Sequence, residues 1–328
     1  MITLTYNSYM VDKGKNLILV GCGKRGLGHL SAMKKFNKVP DIFCDFNPKS
    51  LENLNNTHRN SDFYTDLESL NKLINKSSKY YAVIAVDAKS NYKVAKTLLE
   101  KGINVLMEKP PGLSTNEAEK LIDISKDLNL DCFIGFDRRF NPYVAKSIEI
   151  IKDYGEIFNL QAEFNKDINE WIGHRAFDEN LLDKMVLESP IHSIDLINYL
   201  SSSSIKNVNG FSRRIGSKYR TSFSALIEYE NGASGTINSS YLTSGRSEKY
   251  SIHAKNCSIY LDGINSGKIF YKSKIYEMEI SEDLTSTEIQ MKNYLEYVYD
   301  DKTFNGAKIE ESLNIFRITE KMFDNTFN

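Results

Sequence analysis

The run Gly21-Cys22-Gly23-Lys24-Arg25-Gly26 has the form G-x-G-x-x-G. It follows the apolar stretch Leu17–Val20 and opens an amphipathic one, the setting in which such a run binds a dinucleotide. Gly21 permits a tight turn. Gly23 lets the backbone approach a pyrophosphate, and Gly26 lets helix and strand pack closely. The helix N-terminus offers N–H groups and the positive end of a dipole to the phosphates. Gly21, Gly23 and Gly26, with Lys24 and Arg25 between the last two, are therefore the expected phosphate-binding residues. Asp45 comes 19 residues after Gly26, at the end of the next apolar stretch. An acid there accepts hydrogen bonds from adenosine ribose hydroxyls and repels a 2′-phosphate. NAD is the expected cofactor, and NADP is the alternative because Lys49 is close in sequence. The bland readings are a structural glycine turn and an aspartate that only caps a strand end.

Two further groups can do chemistry. The apolar stretch Val105–Met107 ends in Glu108-Lys109-Pro110. In a doubly wound sheet the carboxyl ends of strands line the ligand crevice, so a lysine there can polarise a substrate oxygen. The second group is Glu188-Ser189-Pro190-Ile191-His192-Ser193-Ile194-Asp195. A spacing of four puts Glu188 and His192 on one face of a helix that includes both, with Pro190 in its first turn, where a missing N–H does no harm. The ordinary pKa of histidine lies near neutrality, which suits proton transfer. Glu188 can hydrogen-bond substrate hydroxyls or tune the histidine. Outside such a context a lone lysine is a solvated charge and a lone helical histidine a structural residue.

The elements that must hold these groups can be read from periodicity. Short apolar runs at Leu17–Val20, Ile42–Cys44, Tyr81–Val86, Ile103–Met107 and Cys132–Phe136 alternate with helical patterns. After Ser114, Ala118, Leu121 and Ile122 form one face, and Ser114 with Glu117 fits a capping box. This alternation predicts a parallel sheet covered on both sides by helices. Past residue 140 the pattern changes. Asn141-Pro142 starts a helix. β-rich segments follow at Ile157–Phe164, Ser222–Tyr229, Ala233–Tyr241, Tyr250–His253 and Ser258–Leu261, with Asn231-Gly232 as a hairpin turn. Segments 283–300 and 308–324 read as helices. The expected organisation is an N-terminal extension (1–15), a dinucleotide-binding Rossmann domain (16–140), and an α+β domain (141–328) for substrate binding and oligomerisation. That second domain is expected to hold an open, mostly antiparallel sheet covered by helices on one face.

These blocks resemble the Gfo/Idh/MocA family, the glucose–fructose oxidoreductase and inositol dehydrogenase group. The resemblance rests on the glycine fingerprint with His29 after it, on Glu108-Lys109-Pro110, and on Gly135-Phe136-Asp137-Arg138-Arg139-Phe140-Asn141-Pro142. It covers about the first 145 residues, with the block at 188–195 beyond them. It implies that Lys109 and His192 are catalytic, with His192 the acid/base and Glu188 the acidic partner. Glu108 and Lys109 are also implied at the cofactor. Asp195 is left outside the catalytic set. Departures include Glu188 for aspartate, Pro190 for glycine, Val86-Asp87 for Thr-Pro and Asn91 for a frequent histidine. The implied activity is NAD(P)-dependent hydride transfer at a hydroxyl-bearing carbon of a sugar, cyclitol or nucleotide sugar. Alternatives are an NAD-dependent sensor and a hydrolase or lyase that oxidises its substrate only transiently. A homodimer or homotetramer is implied, joined through an exposed sheet face with alternating apolar residues.

Bulk properties agree with that class. The chain has 328 residues, 41% hydrophobic and 26% charged, enough for a sizeable core. A net charge of −1 gives no electrostatic case for nucleic acid or an anionic membrane. Cys22, Cys44, Cys132 and Cys257 have no CxxC spacing and no histidine cluster, so no metal is expected and reduced thiols in the cytoplasm are. The start of the chain lacks the apolar core of a signal peptide, and no apolar run is long enough to span a membrane. The basic stretch Arg213–Arg220 reads as a solvated hairpin face, with phosphate binding as the sharper alternative. Trp171, His174 and Arg175 are candidates to approach the substrate.

Overall fold

The computed structural model describes residues 14–73 and 79–327. The expected N-terminal extension thus lies outside the described residues, apart from Gly14 and Lys15. In the first half, strands and helices alternate as β1 (Lys15–Val20), α1 (Lys24–Lys35), β2 (Ile42–Cys44), α2 (Pro48–Thr57), β3 (Asp62–Tyr64), α3 (Leu67–Leu73), β4 (Lys79–Ile84), α4 (Ala88–Leu99), β5 (Asn104–Met107), α5 (Thr115–Asp127) and β6 (Cys132–Ile134). β1 to β6 lie parallel in the order β6-β5-β4-β1-β2-β3. Leu17, Ile18, Leu19 and Val20 are all buried because helices cover both faces, which is why the strand reads as a continuous apolar run. The order reverses at β1, where β4 and β2 flank it, and a ligand crevice opens at such a switch point.

Caps fix the helix starts. Asp87 accepts the Ser90 N–H at α4, and Ser114 accepts the Glu117 N–H at α5. Each such cap contributes about 1 kcal/mol. The expected capping box at α5 is altered. Glu117 Oε2 takes the N–H of Leu113 at 2.6 Å rather than that of Ser114.

The second half contains α6 (Pro142–Ile151), β7 (Ile157–Asp167), α7 (Glu179–Leu182), α8 (Ile191–Ser201), β8 (Ile205–Arg213), β9 (Ser222–Tyr229), β10 (Ser234–Ser240), β11 (Leu242–Ala254), β12 (Cys257–Asp262), β13 (Ser266–Tyr271), β14 (Lys274–Glu277), α9 (Ser286–Asp300), β15 (Ala307–Lys308), α10 (Ser312–Asp324) and β16 (Thr326–Phe327). The second sheet runs β14-β13-β12-β11-β7-β10-β9-β8-β16, antiparallel except for β7 with β10 and β8 with β16. Its buried residues alternate, with Leu160, Ala162 and Phe164 of β7 facing the same side as Ile237 of β10, and α8 and α10 cover that side.

Two expectations need correction. Residues 286–308 fall within the expected second domain (141–328), yet their helix and strand join the first sheet. Met291, Tyr294, Leu295 and Val298 of α9 pack on Leu17, Leu19 and Leu106, and β15 pairs antiparallel with β6. An amphipathic helix pattern reports that one face is buried, not which sheet buries it. The open face of the second sheet is also not an alternation of apolar residues. Its central strands present Asn159, Gln161, Glu163, Ser234, Thr236 and Asn238, and Phe211, Leu226, Tyr260 and Phe270 lie on flanking strands. Among the described residues no helix is long and apolar enough to cross a membrane. All four cysteines are free and buried.

Candidate active site

The glycine turn leaves β1 directly. Gly21 has φ +89°, and its N–H reaches the Cys44 carbonyl at 2.8 Å. A Cβ on Gly21 would overlap the Ala85 carbonyl, and one on Gly26 would overlap the Gly21 carbonyl. Gly23 differs: its φ is −74°, and nothing lies within 4 Å of where its Cβ would stand. Gly23 also sits at the N-cap of α1 with no side chain capping the helix, so the first N–H groups remain available. This is the form a dinucleotide pyrophosphate needs, with a tight turn below, open space above and helix N–H groups alongside. Asp45 closes the neighbouring strand end. Its Oδ2 accepts the Cys22 N–H at 2.7 Å and its Oδ1 the Asn47 N–H at 2.8 Å, which fixes the carboxylate and leaves further lone pairs. Asp45 thus does cap the strand end.

Lys24 is exposed at the start of α1. Arg25 turns back toward the protein. Its Nε donates to Glu108 Oε1 at 2.6 Å, and its Nη2 lies 3.5 Å from Asp137 Oδ2. Glu108, expected at the cofactor, also supports α1, since His29 Nε2 donates to the same oxygen at 2.7 Å. Burial alone would raise the Glu108 carboxyl, but Arg25 and His29 outweigh it and hold it at about 2.

Lys109 follows at the carboxyl end of β5. Asn91, buried in α4, donates from Nδ2 to the Glu108 carbonyl at 2.9 Å and the Pro110 carbonyl at 3.0 Å, and so pins the Glu-Lys-Pro backbone. This accounts for the asparagine locally. The Lys109 ammonium donates to the Glu188 carbonyl. Burial lowers its pKa, while Glu188 and Glu108 oppose that shift.

The approach to Glu188 is held from both domains. Lys184 donates to the Leu113 carbonyl at 3.1 Å. Asp183 pairs with Arg214 at 3.1 Å and with Arg220, and Lys218 pairs with Glu179. Arg214, Lys218 and Arg220 of the basic stretch therefore brace this segment, each answered by a protein carboxylate. Glu188 does not share a helix with His192 as the spacing suggested. α8 begins at Ile191, Pro190 is its N-cap, and Glu188 (φ −79°, ψ −74°) ends the short turn Met185–Leu187. A proline can stand before a helix as readily as within its first turn, so the four-residue spacing did not decide the point. Glu188 Oε2 accepts from Lys166 at 3.3 Å, from Tyr241 at 3.1 Å and from Ser189. No described residue donates to Oε1, which leaves it free for a ligand hydroxyl. Burial raises the carboxyl, but Lys109, Lys166 and Ser189 bring it below its ordinary value. Lys166 Nζ also lies 4.3 Å over the Trp171 ring.

His192, on the first turn of α8, is buried and packs edge-on to Phe136 at 5.9 Å. Burial takes its pKa well below the ordinary value; Arg138, Lys109 and Arg25 act in the same direction and Asp137 against it. It is therefore a neutral imidazole at neutral pH. Asp195 forms a two-point pair with Arg139 at 2.6 and 2.9 Å. Lys109 thus meets Glu188, and His192 lies within electrostatic reach of Lys109. Sequence reasoning did not single out Lys166 and Tyr241, which come from β7 and the turn before β11, and it gave Asp137 no role. Only the Arg-rich junction motif signalled the last.

Comparison with known proteins gives the same frame. The family described as an oxidoreductase family with an NAD-binding Rossmann fold matches residues 15–136, and the Gfo/Idh/MocA C-terminal domain matches residues 149–260. The chain belongs to the Gfo/Idh/MocA oxidoreductase family. A scyllo-inositol 2-dehydrogenase (NAD(+)) of Bacillus subtilis is 28% identical over 153 residues, 43% of this chain and 42% of that protein. A glycosyl hydrolase family 109 protein of Phocaeicola vulgatus is 23% identical over 163 residues, 46% of this chain and 31% of that protein. These matches span less than half the length of either relative. Among solved Gfo/Idh/MocA-like folds, UDP-N-acetylglucosamine 3-dehydrogenase from Acidithiobacillus ferrooxidans superposes with TM-score 0.78 at 16% identity over 95% of this chain and 98% of that one. The WlbA dehydrogenase of Bordetella pertussis, in complex with NADH and UDP-GlcNAcA, gives 0.74 at 17% identity over 94% and 95%.

Proposed function

We propose that this Gfo/Idh/MocA member is an NAD-dependent dehydrogenase acting on a hydroxyl-bearing carbon of a sugar, cyclitol or nucleotide sugar. The observation that carries this reading is the Lys109 ammonium on the Glu188 carbonyl at the carboxyl end of β5, with the buried His192 within electrostatic reach of Lys109 and Arg25. When bound, NAD supplies the hydride acceptor. The chain's own residues do the rest. Lys109 holds the substrate oxygen, Glu188 Oε1 takes a neighbouring hydroxyl, and His192 removes the hydroxyl proton. In the reverse direction His192 returns it. The protein orients and manages protons. Incubation with NAD and scyllo-inositol, glucose 6-phosphate or UDP-N-acetylglucosamine, followed by NADH absorbance, tests the reading. Product without NADH accumulation would favour the transient-oxidation alternative, and binding with no product would favour a sensor.

Asp45 makes NAD the tighter cofactor. Calorimetric titration is expected to give a lower Kd for NAD(H) than for NADP(H), and a clear NADP preference would remove Asp45 from the selectivity argument.

The pH profile follows from His192. A base must be unprotonated, and a histidine held below its ordinary value stays so to lower pH. Oxidation is therefore expected to fall on the acid side only below the ordinary histidine range of about 6.5. The groups that set this are Arg138, Lys109 and Arg25, opposed by Asp137. An acid limb above that range would contradict the assignment.

The protein also forms a homodimer or homotetramer through the open face of the second sheet, where Phe211, Leu226, Tyr260 and Phe270 flank polar strands. Light scattering at micromolar concentration should show more than a monomer, and a monomer alone would remove this proposal.

A further inference from the structure

The carboxylate of Asp137 has about four acceptor positions, as any carboxylate does. Arg138 Nη1 donates to Oδ1 at 2.8 Å, Thr287 Oγ1 donates to Oδ2 at 2.9 Å, and Arg25 Nη2 lies 3.5 Å from Oδ2. The remaining position faces His192, whose Nδ1 is 3.6 Å from Oδ1. That nitrogen is buried and has no hydrogen-bond partner.

A neutral imidazole carries its proton on one nitrogen and a lone pair on the other. With the lone pair on Nδ1, a buried acceptor would point at a charged acceptor and Nδ1 would be left without a donor, a cost of about 1–3 kcal/mol. With the proton on Nδ1, the ring donates to the carboxylate and its lone pair is on Nε2. Arg138, Arg25 and Thr287 keep Asp137 ionised well below the ordinary aspartate range, against its burial. It is therefore an acceptor at every working pH.

We propose that Asp137 is the positioning residue of His192, holding the neutral ring with its proton on Nδ1 so that the Nε2 lone pair serves the cleft. The inference rests on the dehydrogenase reading above. In oxidation the substrate O–H bond breaks as Nε2–H forms, and the electron pair of the C–H bond leaves to the nicotinamide. The imidazolium so formed sits among Arg138, Lys109 and Arg25, and Asp137 is the anion that faces it. Asp137 stays ionised throughout and takes no proton.

The test begins without any substrate. The chain has five histidines, so 15N-histidine labelling gives a readable spectrum, and the resonances lost in His192→Gln assign the ring. The wild-type protein should show the Nδ1–H tautomer near neutral pH. Asp137→Ala removes the acceptor and should move the ring toward the Nε2–H tautomer. Asp137→Asn keeps an oxygen for Nδ1 and removes the charge. Its turnover on whichever of the three probe substrates reduces NAD is expected to fall about 10- to 100-fold, with NAD Kd and substrate KM nearly unchanged. That is less than the loss for a fully hydrogen-bonded Asp–His pair, because this pair is longer. A purely structural Asp137 would move neither tautomer nor the split between kcat and KM. A wild-type Nε2–H tautomer, or normal turnover in Asp137→Asn, overturns the proposal. Should Asp137→Ala fail to fold, the wild-type spectrum and Asp137→Asn decide it. Normal turnover in His192→Ala would defeat the dehydrogenase mechanism itself. An inactive His192→Ala beside an unaffected Asp137→Asn would defeat only this inference.

Discussion

Replacing Lys109 or His192 with alanine is expected to cut turnover by about 100-fold or more, the usual scale for removing a positioned proton-transfer group. The two side chains are 83 positions apart in sequence, yet the end of β5 and the first turn of α8 bring them within electrostatic reach of each other. Lys109→Ala removes the cation that Glu188 faces, and with it the hold on the substrate oxygen. His192→Ala removes the base and leaves the lysine in place. If the pair acts on one oxygen, the double variant should lose less than the product of the two single losses. NAD affinity should change little, because neither side chain belongs to the glycine turn. Steady-state kinetics with the probe substrate that best reduces NAD, beside calorimetry with NAD, reads both quantities. Full additivity, or a His192→Ala variant with normal turnover, would separate the two residues from a shared task.

The second large effect divides the glycines. Gly23→Ala should fold normally, since its φ suits any residue and its Cβ would meet nothing within 4 Å. Gly-to-Ala at such a position changes stability by about 1 kcal/mol or less. The methyl group would stand in the open space above the turn, so NAD binding should weaken by at least about 10-fold, or about 1.4 kcal/mol. Gly26→Ala should behave in the opposite way. Its Cβ would overlap the Gly21 carbonyl, a backbone atom that cannot swing aside. The cost of such overpacking is about 1–3 kcal/mol of stability, with cofactor affinity lost as the turn distorts. Urea denaturation and NAD titration on both variants would reveal the contrast. A Gly23→Ala protein with unchanged NAD affinity would place the pyrophosphate elsewhere.

What the sequence determined by itself was local. The glycine turn, the strand ending in Lys109, the Asn141-Pro142 helix start and the Asn231-Gly232 hairpin each depend on a few adjacent residues, and each formed as its residues require. The alternation of apolar runs with amphipathic stretches likewise specified a parallel sheet, because both signals come from which faces must be buried. Tertiary structure decided the partners. Arg25 and Glu108 lie in recognised motifs, but only the tertiary approach of the α1 N-terminus to the end of β5 turned them toward each other. Glu188 left the helix that its spacing suggested, because Lys166 of β7 and Tyr241 draw its carboxylate from outside α8. Helix α9 shows the same limit, since its pattern gave a buried face and left open which sheet it would meet. Asp137 stands beside His192 from 55 residues away, at a junction whose sequence shows charge but not direction. Periodicity records how much of a residue is buried; the atom it meets there is set by the approach of distant elements.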